Sequence, residues 1–209
     1  MTTEWRDTNF GGIVLCGGHS RRMGRPKLSL PFGNETMLAR VVRVLSEVVS
    51  PIVVVAAVDQ ELPPLPSDVI VTRDEQPDLG PLAGLSAGLA ALPNETSAAY
   101  ASSCDVPLLK PEFVGYLLNR LGDADVLMPQ DGKFHHPLAG VYRRAVEPTI
   151  REMITADQLR PVGLLERCQS VTIDVDDLRT VDPELDSLRN TNTPDEYETA
   201  LKIAGLKIS

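Results

Sequence analysis

The chain has 209 residues, of which 43% are hydrophobic and only 4% aromatic, and this suits one α/β domain with an aliphatic core. Its formal net charge of −9 at pH 7 argues against general binding to nucleic acid or to an anionic membrane surface. The three cysteines, Cys16, Cys104 and Cys168, are widely spaced, which indicates neither a disulfide framework nor a CxxC metal site. No apolar run reaches membrane-spanning length, and the polar start lacks the apolar stretch of a signal peptide, so we expect a cytoplasmic protein.

The first apolar run is followed by glycines and then by a group of cations. The run Ile13-Val14-Leu15 is typical of a buried parallel strand, and Gly17-Gly18 lets backbone amides approach a ligand closely. Four cations follow without an intervening acid, namely Arg21, Arg22, Arg25 and Lys27. Backbone N–H groups and fixed positive charge both neutralise phosphate oxygens. The stretch therefore favours a polyphosphate site over a solvated basic loop, although it has neither the Walker nor the GxGxxG spacing.

The rest of the chain alternates between strand and helix patterns. Strands are predicted over residues 52–57, 68–71, 97–104, 124–128 and 170–175, and residues 134–142 lead into another. Helices are predicted over residues 35–49, 80–92, 111–121, 143–155 (with a kink at Pro148) and 161–168. This order predicts a Rossmann-like α/β domain, in which a mostly parallel sheet has helices on both faces. We predict that residues 10–205 form this single domain and that residues 1–9 form a disordered tail.

Asp105 directly follows the strand of small residues predicted over residues 97–104. Ligands of open parallel sheets lie outside the carboxyl ends of the strands, so a carboxylate there is well placed to hold Mg²⁺ on nucleotide phosphates. The alternative is that Asp105 caps the helix that begins near Pro111.

Several other patterns in the sequence allow more than one interpretation. His135 and His136 are adjacent, so on an extended segment they face opposite sides and make a poor metal site. Gly84 and Gly88 lie on one face of a predicted helix, which indicates close packing against a sheet or a ligand. A solvated acidic surface is predicted from irregularly spaced aspartates, which are Asp174, Asp176, Asp177, Asp182 and Asp186.

The segment near the C-terminus predicts a helix start. Thr193 followed by Pro194 and, three residues after the threonine, by Glu196 is the pattern of a capping box. A capping box explains these residues but not Asn190 and Asn192.

Residues 15–27 read LCGGHSRRMGRPK and resemble LAGGxSxRMGxxK, the signature of nucleotidyltransferases with a Rossmann-like sheet. Cys16 stands where that family usually has alanine. Four further segments are similar to those of the molybdenum cofactor guanylyltransferases: GPLAGLSAGL at 80–89, SSCDVP at 102–107, HHPLAGVY at 135–142 and NTNTPDE at 190–196. The resemblance covers nearly the whole chain, although Ala56-Ala57 stands where the family often has an asparagine.

The resemblance implies a single-domain enzyme that transfers GMP from GTP to molybdopterin and releases pyrophosphate. It implies a GTP site made of Leu15, Cys16, Gly17, Gly18, Lys27, Asp74 and Asp105. Arg22, Lys27 and Asp105 are the expected catalytic residues, and Asp105 is the expected ligand of Mg²⁺. His136, Asn190 and Asn192 are expected on the molybdopterin side. Molybdoenzymes or other cofactor-biosynthesis proteins are the expected partners.

Such a reaction needs no nucleophile from the protein, because the terminal phosphate of molybdopterin is already an anionic oxygen nucleophile. Two alternatives stay open at this point. One is a related enzyme of the same fold that uses CTP or a sugar phosphate. The other is a non-catalytic GTP-binding partner domain.

Overall fold

The structure is a computed structural model, and it describes residues 9–17, 27–76 and 79–207. The strands in these ranges are β1 (Phe10–Leu15), β2 (Pro31–Phe32), β3 (Glu35–Thr36), β4 (Ile52–Ala57), β5 (Ile70–Asp74), β6 (Ala98–Ser103), β7 (Val126–Asp131), β8 (Phe134–His135), β9 (Val141–Arg143) and β10 (Ser170–Asp174). The α-helices are α1 (Met37–Ser46), α2 (Pro81–Ala91), α3 (Pro111–Arg120), α4 (Glu147–Thr155), α5 (Leu164–Arg167), α6 (Val175–Leu178) and α7 (Pro194–Ile203). Short 3-10 helices cover Lys27–Ser29, Pro137–Ala139, Arg144–Val146, Pro161–Gly163 and Asp186–Leu188.

The main sheet is mixed but mostly parallel, with β1 near its centre. Its strand order is β10-β7-β9-β6-β1-β4-β5, and β8 pairs with β7. β1 is parallel to β4 and β6, β5 is parallel to β4, and β10 is parallel to β7. The short β9 lies between β6 and β7 and runs antiparallel to both, and β8 runs antiparallel to β7. The predicted mostly parallel sheet is confirmed.

Helices cover both faces of this sheet. Successive side chains of a strand point to opposite faces, so Val14 packs in the cluster under α1 and α3, whereas Ile13 and Leu15 pack in the cluster under α2 and α4. The predicted arrangement of helices on both faces is therefore confirmed. No helix in the described ranges combines the length and the apolar character that a membrane crossing needs.

The C-terminal helix α7 packs against the hairpin of β2 and β3. Phe32, Leu108 and Leu201 belong to this third, smaller cluster. α7 begins with the predicted capping box, because the backbone N–H of Glu196 donates to Thr193 Oγ1 at 3.3 Å and that of Thr193 donates to Glu196 Oε2 at 2.9 Å. The cap fixes where the preceding segment enters the helix.

Two predicted elements are displaced in the structure. The helix predicted over residues 143–155 begins with the 3-10 turn Arg144–Val146, and α4 itself begins at Glu147. Pro148 consequently lies in the first turn of α4, where its missing N–H removes no intrahelical bond and no kink is needed. The strand predicted over residues 68–71 instead runs to Asp74 as β5.

The predicted solvated acidic surface is wrong for two of its members. Asp182 is fully buried and Asp186 is 7% exposed. Lys110 Nζ donates to Asp182 Oδ1 at 2.6 Å and to Asp186 Oδ2 at 3.1 Å. The backbone N–H of Ser187 donates to Asp182 Oδ2 at 2.7 Å. A buried carboxylate needs such partners. Lys110 therefore joins the start of α3 to the acidic segment, which contains Asp182 and Asp186.

Candidate active site

Three parallel strands end side by side at one edge of the sheet. β1 lies between β4 and β6, so the carboxyl ends of all three point the same way. Gly17 lies shortly after β1, and Asp105 lies shortly after β6. Ligands of open α/β sheets bind at this kind of edge. The fold therefore brings the glycine motif and the acidic motif to one place.

The Lys27 ammonium lies between two oxygen atoms from separate segments. Its Nζ is 3.0 Å from Asp105 Oδ2 and 2.5 Å from Asn192 Oδ1. The side chains of Lys27 and Asp105 are 17% and 13% exposed, so solvent screens this pair less than it screens a surface pair. One cation and two oxygen acceptors thus share a partly buried point at the sheet edge.

Asp105 is held from two sides. Ser103 Oγ donates a hydrogen bond to Asp105 Oδ1. The backbone N–H of Thr191 donates to the Asp105 carbonyl at 2.8 Å, which ties the segment before α7 to the end of β6 and brings Asn192 to the edge. The capping alternative is wrong, because the N-cap of α3 is Lys110 and no side chain caps that helix.

Two adjoining cavities open at this edge. The polar cavity, of about 290 Å³, is lined by residues that include Cys16, Lys27, Gln60, Cys104, Asp105 and Asn192. The apolar cavity, of about 300 Å³, is lined by residues that include Val55, Ala56, Ala57, Asp74, Gly84 and Leu138. Leu15, Gly17 and Ser103 belong to both linings. The contrast between the polar and the apolar cavity suits a ligand with one charged part and one largely apolar part.

Small residues and one carboxylate shape the apolar cavity. A Cβ added to Gly84 would lie 3.3 Å from Leu15 Cδ2 and 3.8 Å from Asp74 Oδ2, so the absence of a side chain lets α2 lie close to Leu15 and leaves the cavity open. Asp74 ends β5, and its Oδ1 accepts from the backbone N–H of Gln76 at 2.9 Å. The cavity thus combines apolar walls with a carboxylate that can accept hydrogen bonds from a ligand.

Gln60 lines the polar cavity, although no sequence motif points to it. Its Nε2 donates to the Cys16 carbonyl at 2.9 Å, and its Oε1 accepts from the backbone N–H of Ala57 at 3.1 Å. These bonds fasten the turn after β1 to the segment after β4. The only sequence signal was its place shortly after β4, because a loop glutamine is ordinarily exposed.

The oxygen atoms around Lys27 fit a hard divalent cation. Mg²⁺ takes oxygen ligands and commonly keeps one or two from the protein, together with phosphates and waters. Asp105 and Asn192 supply such oxygens, and the Lys27 ammonium shows that one cation contacts both of them at once. In the described part of the chain, no group of three or more His, Cys, Asp or Glu side chains is arranged to hold a metal ion.

Most of the predicted site residues meet at this edge. The polar cavity is lined by Leu15, Cys16, Gly17, Lys27, Asp105 and Asn192, and Asp74 lines the apolar cavity. Gly18 and Arg22 lie outside the described residues.

Two predicted residues lie apart from this group. Asn190 lines a different cavity, beside α7. His136 follows β8, and its backbone N–H donates to the Pro129 carbonyl at 2.9 Å. Burial lowers the pKa of His136; Asp131 opposes this shift and His135 adds to it. The structure therefore groups Asn192, but not Asn190, with Lys27 and Asp105.

The sheet is mostly parallel, and Gly17, Lys27 and the metal-compatible carboxylate of Asp105 lie at its carboxyl edge. These features define a nucleotide-binding α/β protein that can neutralise phosphate charge. Residues 12–171 match the MobA-like NTP transferase domain. The chain belongs to this family of nucleotidyltransferases.

Two relatives that match most of the chain carry the same name. A protein of Mycobacterium tuberculosis named "Probable molybdenum cofactor guanylyltransferase" is 39% identical over 190 residues, which cover 88% of this chain and 89% of the relative. A protein of the same name from Carboxydothermus hydrogenoformans is 33% identical over 204 residues, which cover 95% of this chain and 98% of the relative.

Solved structures show the same fold. The molybdopterin-guanine dinucleotide biosynthesis protein A from Archaeoglobus fulgidus superposes with a TM-score of 0.76 at 24% identity, covering 93% of this chain and 98% of that chain. A 2-C-methyl-D-erythritol 4-phosphate cytidylyltransferase from Thermus thermophilus superposes with a TM-score of 0.68 at 11% identity, covering 93% of this chain and 98% of that chain. Because proteins named for different nucleotides share this fold, the fold does not select the base.

Proposed function

We propose that the protein transfers GMP from GTP to molybdopterin, forming the guanine dinucleotide form of the molybdenum cofactor and releasing pyrophosphate. The observation that carries the proposal is the cluster of Lys27, Asp105 and Asn192 in the polar cavity at the sheet edge. A fixed cation beside ligands for a hard metal ion is what the charge on a transferred phosphoryl group requires. The guanylyltransferase name of both relatives supports GTP and molybdopterin as the substrates.

The two cavities divide the nucleotide between them. The triphosphate occupies the polar cavity, where Lys27 and the backbone at Gly17 face it. The nucleoside occupies the apolar cavity, where the Asp74 carboxylate accepts hydrogen bonds from its donor groups. Gly17 lines both cavities, so the turn after β1 lies where the sugar joins the phosphates.

The reaction exchanges one phosphorus–oxygen bond for another. An oxygen of the molybdopterin phosphate attacks the α-phosphorus of GTP and forms the new bond. The bond from that phosphorus to the bridging oxygen breaks, and its electron pair leaves on pyrophosphate. Because the attacking oxygen is already anionic, the protein contributes in-line alignment and neutralisation of charge rather than a general base.

The residues of the polar cavity have distinct roles in this proposal. Lys27 exchanges its bonds to Asp105 and Asn192 for bonds to phosphate oxygens when the nucleotide enters. Arg22, from the basic run of the sequence, is the expected second cation. Asp105, with help from Asn192, would hold Mg²⁺, which would supply further charge neutralisation. Ser103 keeps the Asp105 carboxylate in place.

The acceptor side of the site rests on the family resemblance. His136 and Asn190 remain the predicted molybdopterin-side residues, together with Asn192. The proposal includes delivery of the dinucleotide product to molybdoenzymes or to other cofactor-biosynthesis proteins.

A pyrophosphate-release assay with each of the four ribonucleoside triphosphates tests the proposal. With Mg²⁺ and molybdopterin present, we expect release with GTP that exceeds release with CTP, ATP or UTP, and no release when molybdopterin is omitted. Faster release with CTP would assign the cytidylyl alternative. Binding of GTP without release from any nucleotide would assign the non-catalytic alternative.

The Lys27→Ala variant tests the triphosphate site directly. Loss of one charged hydrogen-bonding contact is expected to weaken GTP binding by about 1.5–3 kcal/mol, which is roughly 10- to 150-fold in Kd. Lys133→Ala is the matched control, because Lys133 is exposed in the turn between β7 and β8. Parental GTP affinity in Lys27→Ala would show that the triphosphate lies elsewhere.

A further inference from the structure

Cys16 and Cys104 are neighbours at the polar cavity. β1 and β6 pair in parallel until Leu15 lies opposite Ser103, so the two cysteines are the next residue on each chain. The backbone N–H of Cys104 donates to the Leu15 carbonyl at 3.1 Å, which keeps the two chains together at this point. Both side chains belong to the same core cluster, and both line the polar cavity.

The two cysteines lie one residue beyond the last register pair of neighbouring parallel strands, and the Cys16 thiol donates to the Val14 carbonyl at 3.9 Å. The neighbouring Cys104 thiol is the first cause that raises the pKa of Cys16 well above its ordinary value, and burial is the second. Cys16 is 3% exposed and Cys104 is 7% exposed. The two side chains therefore lie on the same side of the sheet and border the polar cavity.

The strand geometry is compatible with a covalent bond between these sulfurs. Adjacent strands lie roughly 4.7–4.9 Å apart, which falls within the Cα separation of about 4.4–6.8 Å found in disulfides. Both cysteines lie just beyond their strands, and Gly17 follows one of them. Closing the bond requires these two segments to move towards each other.

We propose that Cys16 and Cys104 form a reversible disulfide that closes the nucleotide site when the protein meets a peroxide. One thiol gives up its proton and its thiolate attacks a peroxide oxygen, which yields a sulfenic acid, and the leaving hydroxide takes up that proton as one water. The second thiol attacks the sulfenic sulfur, and a second water leaves as the sulfur–sulfur bond forms. Two thiols and one hydrogen peroxide thus give one disulfide and two waters, with sulfur oxidised and peroxide oxygen reduced.

The disulfide acts on the site through the residues that follow each cysteine. Asp105 follows Cys104 directly, and Gly17 follows Cys16 directly. Drawing the sulfurs to the bonded distance of about 2.05 Å moves the Asp105 carboxylate relative to Lys27 and narrows the polar cavity. The effect on nucleotide binding rests on the proposed function, whereas formation of the disulfide does not.

Peptide mapping and a binding measurement test the two parts separately. The reduced full-length chain is treated with hydrogen peroxide, its remaining thiols are alkylated, and a non-reducing digest is analysed by mass spectrometry. We expect a cross-linked peptide that joins Cys16 to Cys104 and lacks two hydrogens. We also expect at least a tenfold loss of Mg·GTP affinity, reversed by dithiothreitol, and slower cross-linking when Mg·GTP is bound first.

Two variants serve as controls. Cys168 precedes β10, which is parallel to β7 and lies at the far side of the sheet, so Cys168→Ser is expected to cross-link and lose affinity as the parent does. Cys16→Ala is expected to give no cross-link and to keep, after peroxide, the affinity of its own reduced form.

Oxidation confined to Cys168, without the cross-linked peptide, would overturn the proposal. A cross-link that leaves Mg·GTP affinity unchanged would overturn its regulatory part. Failure of the reduced protein to bind Mg·GTP would count against the proposed function instead, because the cross-link would still be mapped.

Discussion

The side chain and the backbone of Asp105 have different roles. Its carboxylate faces Lys27 at 3.0 Å, whereas its backbone carbonyl accepts from Thr191 at 2.8 Å. The side chain therefore carries the electrostatics of the site, and the main chain joins β6 to the segment before α7. A substitution that changes only the side-chain charge tests the first role and spares the second.

We expect Asp105→Asn to reduce pyrophosphate release by at least about 100-fold, the order of effect seen when one preorganised charge-stabilising group is removed. The free energy of unfolding should fall by only about 1–2 kcal/mol, because asparagine keeps an oxygen acceptor for Ser103 or Lys27. Turnover and melting temperature are measured on the same preparation. Asp68→Asn, at an exposed aspartate before β5, should change neither, and near-parental turnover in Asp105→Asn would exclude the proposed metal role.

At the scale of single residues, the sequence predicts the charged groups better than the groups that hold them. Lys27 and Asp105 stand out because each follows a strand pattern with chemistry suited to phosphate or metal. Ser103 and Gln60 do not stand out, because their partners become visible only when the strand ends are assembled. The burial of Asp182 is hidden for the same reason, since its partner Lys110 is distant in sequence.

At the scale of elements, the contact of α2 with β1 depends on a glycine. A Cβ added to Gly88 would lie 2.5 Å from Ile13 Cγ2, a stiff β-branched side chain in the core. Gly88→Ala should therefore lower the free energy of unfolding by about 1–2 kcal/mol, because overpacking outweighs the gain of roughly 1 kcal/mol in helix propensity. Chemical denaturation measures this change, and a variant more stable than the parent would contradict the packing argument.

Gly84→Ala, one turn earlier on α2, should give the opposite pattern. Its added Cβ would lie 3.3 and 3.4 Å from the two terminal methyl groups of Leu15, which can shift, but would also enter the apolar cavity. We expect stability within about 1 kcal/mol of the parent and weaker Mg·GTP binding. Calorimetric titration of both glycine variants measures the binding, and unchanged affinity in Gly84→Ala would place the nucleoside outside this cavity.

The start of α3 is joined to the acidic segment by Lys110, whose partner Asp182 is fully buried. Lys110→Met should lower the free energy of unfolding by about 3 kcal/mol, because it leaves a buried carboxylate without its partner. For a domain of this size the melting temperature should fall by roughly 6–12 °C. The control is Arg179→Met, whose pair with Asp176 is exposed and is worth about 1 kcal/mol or less. Equal losses in the two variants would mean that burial of the pair is unimportant.

The existence of the long elements was predictable, whereas some of their ends were not. The runs that became β4 and α2 are bounded by proline, glycine or a change of period, and their predicted limits agree with the structure within about two residues. The predicted helix over residues 143–155 contains Pro148, and the pattern alone does not show that α4 begins just before it. Hydrophobic periodicity also cannot show that a 3-10 turn, rather than strand, precedes β9.

At the scale of the whole molecule, the alternation of strands and helices was sufficient to predict the layered fold and the sheet edge at which Lys27 and Asp105 meet. It was not sufficient to predict the direction of β9. Strand periodicity is the same in both directions, so a short strand inserted between β6 and β7 gives no sign of its antiparallel pairing.

Three carboxylates have lowered pKa values in the folded protein, and this predicts that the protein loses stability in acid. The pKa of Glu35 is lowered, chiefly by the hydrogen bond from Arg43, and that of Glu196 is lowered by the backbone N–H groups of the capping segment. Burial tends to raise the pKa of Asp182, but the hydrogen bonds from Lys110, Ser187 and Asp186 lower it overall. Their unfolded pKa values are about 4, so this stability is present above about pH 4 and is lost as pH falls through the lower folded values.

His136 makes the free energy of unfolding depend on pH in a second, higher range, because its pKa is lowered in the folded protein. Burial is the largest cause of this shift. An unfolded histidine titrates near about pH 6.5, so below that pH the unfolded chain takes up a proton more readily than the folded protein. The free energy of unfolding should therefore fall as pH decreases from about 7 towards the folded pKa. Denaturation at a series of pH values should show this slope in the parent and a flatter curve in His136→Gln. His135→Gln is the neighbouring control and should keep most of the slope, whereas an equally steep curve in His136→Gln would assign the pH dependence to another group.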